Sequence, residues 1–299
     1  MTALFAGLAA AAPVAAQARE AVETKTLSLG LVSEISREEI EKHFREFTRY
    51  VAGKLSTGPA IESRVVVAPT AFELAKLLDQ RKVDFYMESA YSTYSINFVH
   101  GSGKLLLRRW KSGLAEYYSV VFIRRDSGIR RVDDLKGKTI AFEDAGSTSG
   151  YLLPKLFLQR QGLRLVEKGR FSPDALATDV GYFFARSQEK VVDAVLTKQA
   201  AAGAFSNDDF DGLEETKKSD IASLAQTDRL PRHLVSVRSD LAPPLVSRLE
   251  KILLDMDNDA EGRKILLKMD GTTKFDVLPG GEAAMRRRLL DSFYSPAGK

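Results

Sequence analysis

The chain has 299 residues, 44% of them hydrophobic and 28% charged, with a formal net charge of +4. That length and balance describe a soluble globular protein with core enough for two domains. The basic excess is spread along the chain except at Arg286-Arg287-Arg288, which lies in an amphipathic stretch and reads as a solvated helix face, not a nucleic-acid contact. Cysteine is absent, which excludes disulfides, thiol catalysis, thiolate metal sites and a lipid-modified N-terminal Cys.

The first elements carry the clearest punctuation. Ala3 to Ala18 is free of charge, and Ala16-Gln17-Ala18 is a small-x-small pattern of the kind cut in secretory signals. Residues 1–18 therefore read as a signal peptide, although no Lys or Arg precedes the apolar run; a late start codon or an Ala-rich tail is the competing reading. No later segment offers about twenty uninterrupted apolar residues, so no direct membrane insertion is expected.

Leu27, Leu29 and Leu31 alternate with polar residues and predict a strand. Ser36 with Glu39 is a capping-box pattern ahead of Ile40, Phe44, Phe47, Val51 and Leu55, which share one helical face. Val65-Val66-Val67 is a second strand, Thr70 with Glu73 caps a second helix, and Val83 to Met87 is a third strand. The rhythm repeats. Tyr118 to Ile123 and Lys138 to Phe142 read as strands, Ser187 opens a helix, and Ala202 to Phe205 is a short strand. Leu234 to Val237 is a further strand, followed by helices that start at Pro243-Pro244 and around Ala284. Strands alternating with helices predict an α/β fold with largely parallel sheets. No low-complexity linker divides the chain, so two lobes joined by more than one crossing strand are expected.

Chemistry concentrates after the strand Lys138–Phe142, at Glu143-Asp144-Ala145-Gly146-Ser147-Thr148-Ser149-Gly150 ahead of a helix. A helix N-terminus offers free N–H groups and the positive end of the dipole, glycines allow close approach, and three hydroxyls add neutral donors. The segment suits a tetrahedral oxyanion at the carboxyl end of a strand, or else it is an ordinary Ser/Thr cap in a Gly-bearing turn. Two enzymatic readings fare poorly. A nucleophile elbow needs Ser midway between its glycines, where this chain has Thr148, and a nucleotide-type phosphate loop needs a Lys that is missing. His43, His100 and His233 lie in different elements without metal-ligand spacing. Ferric capture by Tyr117-Tyr118 or Tyr86 and Tyr91 is disfavoured, because adjacent tyrosines on a strand face opposite ways.

Asp134-Leu135-Lys136-Gly137-Lys138-Thr139-Ile140-Ala141-Phe142 running through Gly146-Ser147-Thr148-Ser149-Gly150 to Tyr151-Leu152-Leu153-Pro154 resembles the signature of the phosphate/phosphite/phosphonate-binding family of periplasmic proteins. Val67-Ala68-Pro69, Lys82-Val83-Asp84, Tyr117-Tyr118-Ser119-Val120, Ala202-Gly203-Ala204 and Leu230-Pro231 fit the same family in order. The resemblance implies a two-lobed type II periplasmic binding protein. Residues 19–118 would begin lobe 1, 119–222 form lobe 2, and 223–299 return to lobe 1. It implies a monomer without cofactor, catalytic residue or resident metal. Such a protein closes on a small oxyanion and hands it to an ABC permease in the inner membrane. A receptor of the same fold that reports to a signalling partner is the alternative, and an enzyme on this fold is a more distant one.

The resemblance assigns the anion to Ser147, Thr148 and Ser149 beside Gly146, with Tyr117 as the aromatic of the crossing strand. Ser89 and Tyr91 would face it from lobe 1. Positions that surround an ammonium in some members fall at Asp208 and His233, with Ala201 in place of a further acid and Gln188 in place of a His. Loss of a carboxylate and gain of a His favour an anion without an ammonium tail. Glu88 is the awkward residue, since an ionised carboxylate repels phosphate; it must pair with a cation, accept from a protonated ligand oxygen, or turn away.

Overall fold

A computed structural model describes residues 25–33, 37–168 and 177–294. The expected signal segment and the Ser36 half of the first capping box lie outside the described residues.

Lobe 1 is built on β1 (Thr26–Val32), β2 (Glu62–Ala68), β3 (Phe85–Ser89) and β4 (Gly103–Lys111), completed by β13 (His233–Arg238) and β14 (Thr272–Val277) from the far end of the chain. Lobe 2 is built on β6 (Ser119–Arg124), β7 (Thr139–Phe142), β8 (Leu165–Glu167), β9 (Val180–Phe184), β10 (Ala202–Ser206) and β11 (Ile221–Gln226). Between them run β5 (Glu116–Tyr117) and β12 (Leu230–Pro231), an antiparallel pair that forms the double crossing. Because β11 pairs with β6, the second sheet continues to Gln226, and the return crossing starts after that strand rather than at residue 223.

The sheet orders are β14-β4-β13-β3-β1-β2 and β11-β6-β10-β7-β9-β8. The expectation of largely parallel sheets needs correction, because both sheets are mixed. β2, β1 and β3 are parallel, as are β10, β7, β9 and β8. β13, β4 and β14 in one sheet, and β6 and β11 in the other, run antiparallel to their neighbours. The βαβ segments supply the parallel half. β13 and β6, which enter their lobes directly from the crossing strands, run opposite to the parallel strands.

The two lobes have separate cores. In lobe 1, Phe47 of the helix Arg37–Leu55 packs its ring 6.4 Å from Phe85 and 6.0 Å from Phe275, among Leu27, Leu29, Met87 and Val235. The second sheet is buried on both faces. Val121, Ile140 and Phe142 point to one side and Val120, Phe122 and Ala141 to the other, the alternation that a pleated strand imposes. Gly203 in β10 is a packing glycine, since a Cβ there would lie 2.6 Å from the Phe122 ring and 2.7 Å from Val191.

A further apolar cluster spans the seam. Leu153 of lobe 2 packs with Ala90, Leu105 and Leu234 of lobe 1, with Leu230 of the crossing, and with Met285 and Leu289 of the C-terminal helix Gly281–Phe293. That helix is tied to both sides. Arg288 pairs with Glu116 in β5, and the Arg160 guanidinium donates to the carbonyls of Asp291 (3.2 Å) and Ser292 (2.9 Å). The carboxyl ends of β3 and β7 therefore face each other across a partly apolar seam.

Candidate functional site

β7 ends at Phe142, and the following loop closes on itself: the Glu143 N–H donates to the Gly150 carbonyl at 3.0 Å. Gly150 makes this possible, because a Cβ there would sit 2.6 Å from Glu143 Oε2 and 2.8 Å from Ser147 Oγ. Gly146 is exposed and donates its N–H to Asp144 Oδ1 at 2.8 Å, a local turn contact. Ser147 is the N-cap of the wide first turn Thr148–Leu152, which runs on into the helix Leu153–Arg160. Its hydroxyl accepts from the Gly150 N–H at 2.9 Å and donates to Glu143 Oε2 at 2.9 Å.

The next two hydroxyls point elsewhere. Thr148 Oγ1 reaches across to lobe 1, where it accepts from the Tyr91 N–H at 3.1 Å and donates to Ser89 Oγ at 3.0 Å. Thr148 and Ser149 lie close enough to lower the pKa of the Tyr117 phenol, while the Ser149 carbonyl accepts from Ser119 Oγ at 2.6 Å. Burial is the larger effect on that phenol and pushes its pKa up to about 12, against the lowering by Thr148 and then by the Arg232 charge. Tyr117 is therefore a neutral donor at physiological pH.

On the lobe 1 side, Ser89 occupies the N-cap position of the helix Ala90–Tyr94, yet its side chain makes no cap bond. Its hydroxyl is left to Thr148, with a long 3.5 Å contact to Ser92 Oγ. Tyr91 takes part through its backbone N–H; its ring lies 5.8 Å from that of Phe293. Glu88 turns to backbone, accepting from the Val32 N–H at 2.6 Å and also bonding the Ser89 N–H and the Ser92 hydroxyl. Burial raises its carboxyl to about 7, against the lowering by those N–H groups and by the Arg109 charge.

A third wall comes from the crossing strands. Arg232, 6% exposed, stands with its guanidinium carbon 5.0 Å from the Tyr117 ring centre and donates from Nη1 to Asp208 Oδ1 at 2.7 Å. Its backbone N–H donates to the Ala115 carbonyl of the opposite crossing at 2.9 Å. His233 begins β13, opposite Ser89 on one side and Arg109 on the other. Burial first, then the charges of Arg109, Arg232 and Lys111, hold its imidazole well below the ordinary range, so it is neutral. Arg109 is itself buried, bonded to Thr272 Oγ1 at 2.7 Å and paired with Asp270 at 3.1 Å. Gln188 donates to Asp209 Oδ2 at 2.7 Å, one residue from Asp208.

The structure thus brings Ser89, Tyr91, Tyr117, Thr148 and Ser149 to one point between the lobes, with Asp208 and His233 on the adjoining wall. It leaves Ser147 as a cap and Gly146 at the surface. Arg232 and Arg109 were not anticipated. The signal for Arg232 was a lone arginine after Leu230-Pro231, and its partner lies 24 residues away in sequence. Among the described residues no cluster of three or more His, Cys, Asp or Glu could hold a metal ion. The groups that converge are neutral hydroxyls and a backbone N–H, a set that can hold an anion by charge-assisted hydrogen bonds.

Residues 29–278 match the family model described as ABC transporter, phosphonate, periplasmic substrate-binding protein. Among solved structures, XAC2383 from Xanthomonas citri is similar at 27% identity over 91% of this chain. Its ATP-bound form covers 96% of that chain at a TM-score of 0.82, and its chloride-bound form 97% at 0.83. PhnD1 from Prochlorococcus marinus in complex with methylphosphonate shares the fold at a TM-score of 0.67, with 15% identity over 90% of this chain and 97% of that one. A binding-protein component of an ABC phosphonate transporter from Pseudomonas aeruginosa does so at a TM-score of 0.62, with 17% identity over 91% and 96%. With the two-lobed architecture and most of its length matched, this chain belongs to the phosphonate-type substrate-binding proteins of ABC transporters, a family of solute binders and not of enzymes.

Proposed function

We propose that this protein captures a phosphorus oxyanion in the periplasm, between its lobes, and delivers it to the membrane permease of an ABC importer. The carrying observation is the meeting of Thr148 Oγ1 with Ser89 Oγ and the Tyr91 N–H, beside Tyr117 and Ser149. These five residues come from lobe 2, lobe 1 and the crossing strand. A bound oxyanion accepting from them joins all three parts and favours the closed arrangement over any open one, which is the differential contact that hinge closure requires. The Xanthomonas citri relative was solved with ATP and with chloride, both anions, which agrees with this reading.

The test is a thermal-shift and calorimetric panel of phosphate, phosphite, methylphosphonate, sulfate and maltose. Stabilisation by at least one phosphorus compound is expected, about 2.7 kcal/mol at a hundredfold excess over Kd. A response to maltose with none to any phosphorus compound would overturn the assignment.

A further inference from the structure

We infer that the ligand carries a second anionic group, a carboxylate or a second phosphoryl, which Arg232 takes up beside the oxyanion site. The inference rests on the oxyanion reading above and names the substrate class of the same site. Arg232 is more than nine-tenths buried, yet its Nε has no hydrogen-bond partner among the described residues. A guanidinium presents donors in a flat fork that suits two acceptor oxygens, and here Asp208 accepts from Nη1. Buried polar groups are ordinarily satisfied, so an Nε left over on a guanidinium stacked against Tyr117 points to an acceptor that arrives with the ligand.

Position fixes where that acceptor would lie. The Tyr117 ring connects the two sites: its hydroxyl meets Thr148 and Ser149, and the Arg232 guanidinium carbon lies 5.0 Å from its centre. A second charge is therefore wanted a short linker away from the phosphorus. Charge sorting points the same way. Asp208 is engaged by Arg232, Asp209 by Ser206 and Gln188, Glu88 by the Val32 N–H, and Asp270 by Arg109 and Lys111, so each of these carboxylates already has a partner. An ammonium would meet Arg232 without a free carboxylate, whereas an anion would complete the guanidinium fork. Asp208 then acts as the positioning residue that holds the fork in place.

Calorimetry on the wild-type chain with methylphosphonate, 2-aminoethylphosphonate, phosphonoacetate and pyrophosphate tests this directly. Phosphonoacetate or pyrophosphate should bind about tenfold tighter than methylphosphonate, and 2-aminoethylphosphonate should bind more weakly than it. Which of the two anionic arms gains identifies the second group as carboxylate or phosphoryl. If methylphosphonate binds but neither arm gains, or if the ammonium compound is the tightest, the inference fails while the oxyanion reading stands. If no phosphorus compound binds, both fall. The double variant R232Q/D208N removes both charges together, so neither is left buried alone. In it the ratio of phosphonoacetate to methylphosphonate affinity should fall from about ten towards one. A folded double variant, judged by a cooperative melt, that keeps the full ratio would also overturn the inference. The wild-type ranking decides the matter by itself should that variant not fold.

Discussion

The two lips of the cleft are built from the same parts: a strand end, a half-buried glutamate, and a serine at the N-cap position of a helix. On lobe 1 these are β3, Glu88 and Ser89; on lobe 2 they are β7, Glu143 and Ser147. The parts are wired differently. Ser147 caps its helix and donates to Glu143, so both functions of its hydroxyl are used within its own loop. Ser89 makes no cap bond and leaves its hydroxyl facing the other lobe. Glu88 is satisfied by backbone N–H groups, whereas the hydrogen bond to Glu143 comes from the serine itself. In both lips the carboxylate is turned into the protein and orders the loop. That is how two acids can sit beside the proposed anion site without opposing the anion directly.

The greatest loss should follow removal of the lobe 2 hydroxyls that do face the cleft. T148V with S149A deletes the acceptor of the Tyr91 N–H, the donor to Ser89 and both hydroxyls close to the Tyr117 phenol. Hydrogen bonds to a charged group contribute roughly 1.5–3 kcal/mol each, so phosphonate affinity should fall by about a hundredfold or more. Calorimetry reads the loss; an affinity within about threefold of wild type would place the anion elsewhere.

The next effect concerns Glu88. Its folded carboxyl sits at about 7 against an ordinary 4.5, so the folded chain holds a proton that the unfolded chain releases in between. Its contribution to stability is complete below about 4.5 and is lost as pH rises through about 7. E88Q keeps an acceptor for the Val32 N–H and cannot ionise. The stability of E88Q relative to wild type should therefore grow between pH 4.5 and pH 7, by at most about 3 kcal/mol. Urea denaturation of both proteins across that window measures it, and two parallel pH profiles would remove Glu88 as a titrating group.

A smaller loss is expected at the crossing strand. Y117F keeps the ring under Arg232 and removes only the hydroxyl close to Thr148 and Ser149. Affinity for the phosphorus oxyanion should drop about tenfold, the order of a single charge-assisted bond. The unliganded melting temperature gives the control, since loss of fold would lower it and loss of a ligand donor alone would not.

Much of this organisation was legible in the sequence, and the residues show where legibility stops. Thr70 caps through the Glu73 N–H, Ser187 through the Lys190 N–H, and Pro243 opens its helix, all from short-range patterns. β4 has no readable strand alternation, because its inward positions are Leu105, Leu107 and then Arg109, an arginine in a core position satisfied by Thr272 and Asp270 more than 150 residues on. The antiparallel returns of β13 and β14 depend on partners equally distant, which no local period reports. At the site, the Gly-Ser-Thr-Ser-Gly run announced hydroxyls at a helix start. Which hydroxyl caps and which faces the ligand depends on the phase of the first helical turn and on Glu143, so Ser147 could not be separated from Thr148 and Ser149. Arg232 shows locally only as a lone arginine after Leu230-Pro231; it matters because a second crossing strand brings it over Tyr117.

The separation of Ser147 from its neighbours supplies the finest test of the two-lip comparison. S147A removes the cap on the Gly150 N–H, which should cost about 1 kcal/mol of stability. It also removes the one hydrogen bond opposing the burial that raises the Glu143 carboxyl, so that group should titrate still higher. Because neither function faces the cleft, phosphonate affinity should change by less than about threefold, in contrast to S149A. Paired measurements separate the roles: denaturant melts should single out S147A, and calorimetry should single out S149A. If S147A instead lost affinity as strongly as S149A, the Ser147 hydroxyl would have to leave Glu143 when ligand enters, and the two lips would be wired alike in the bound state.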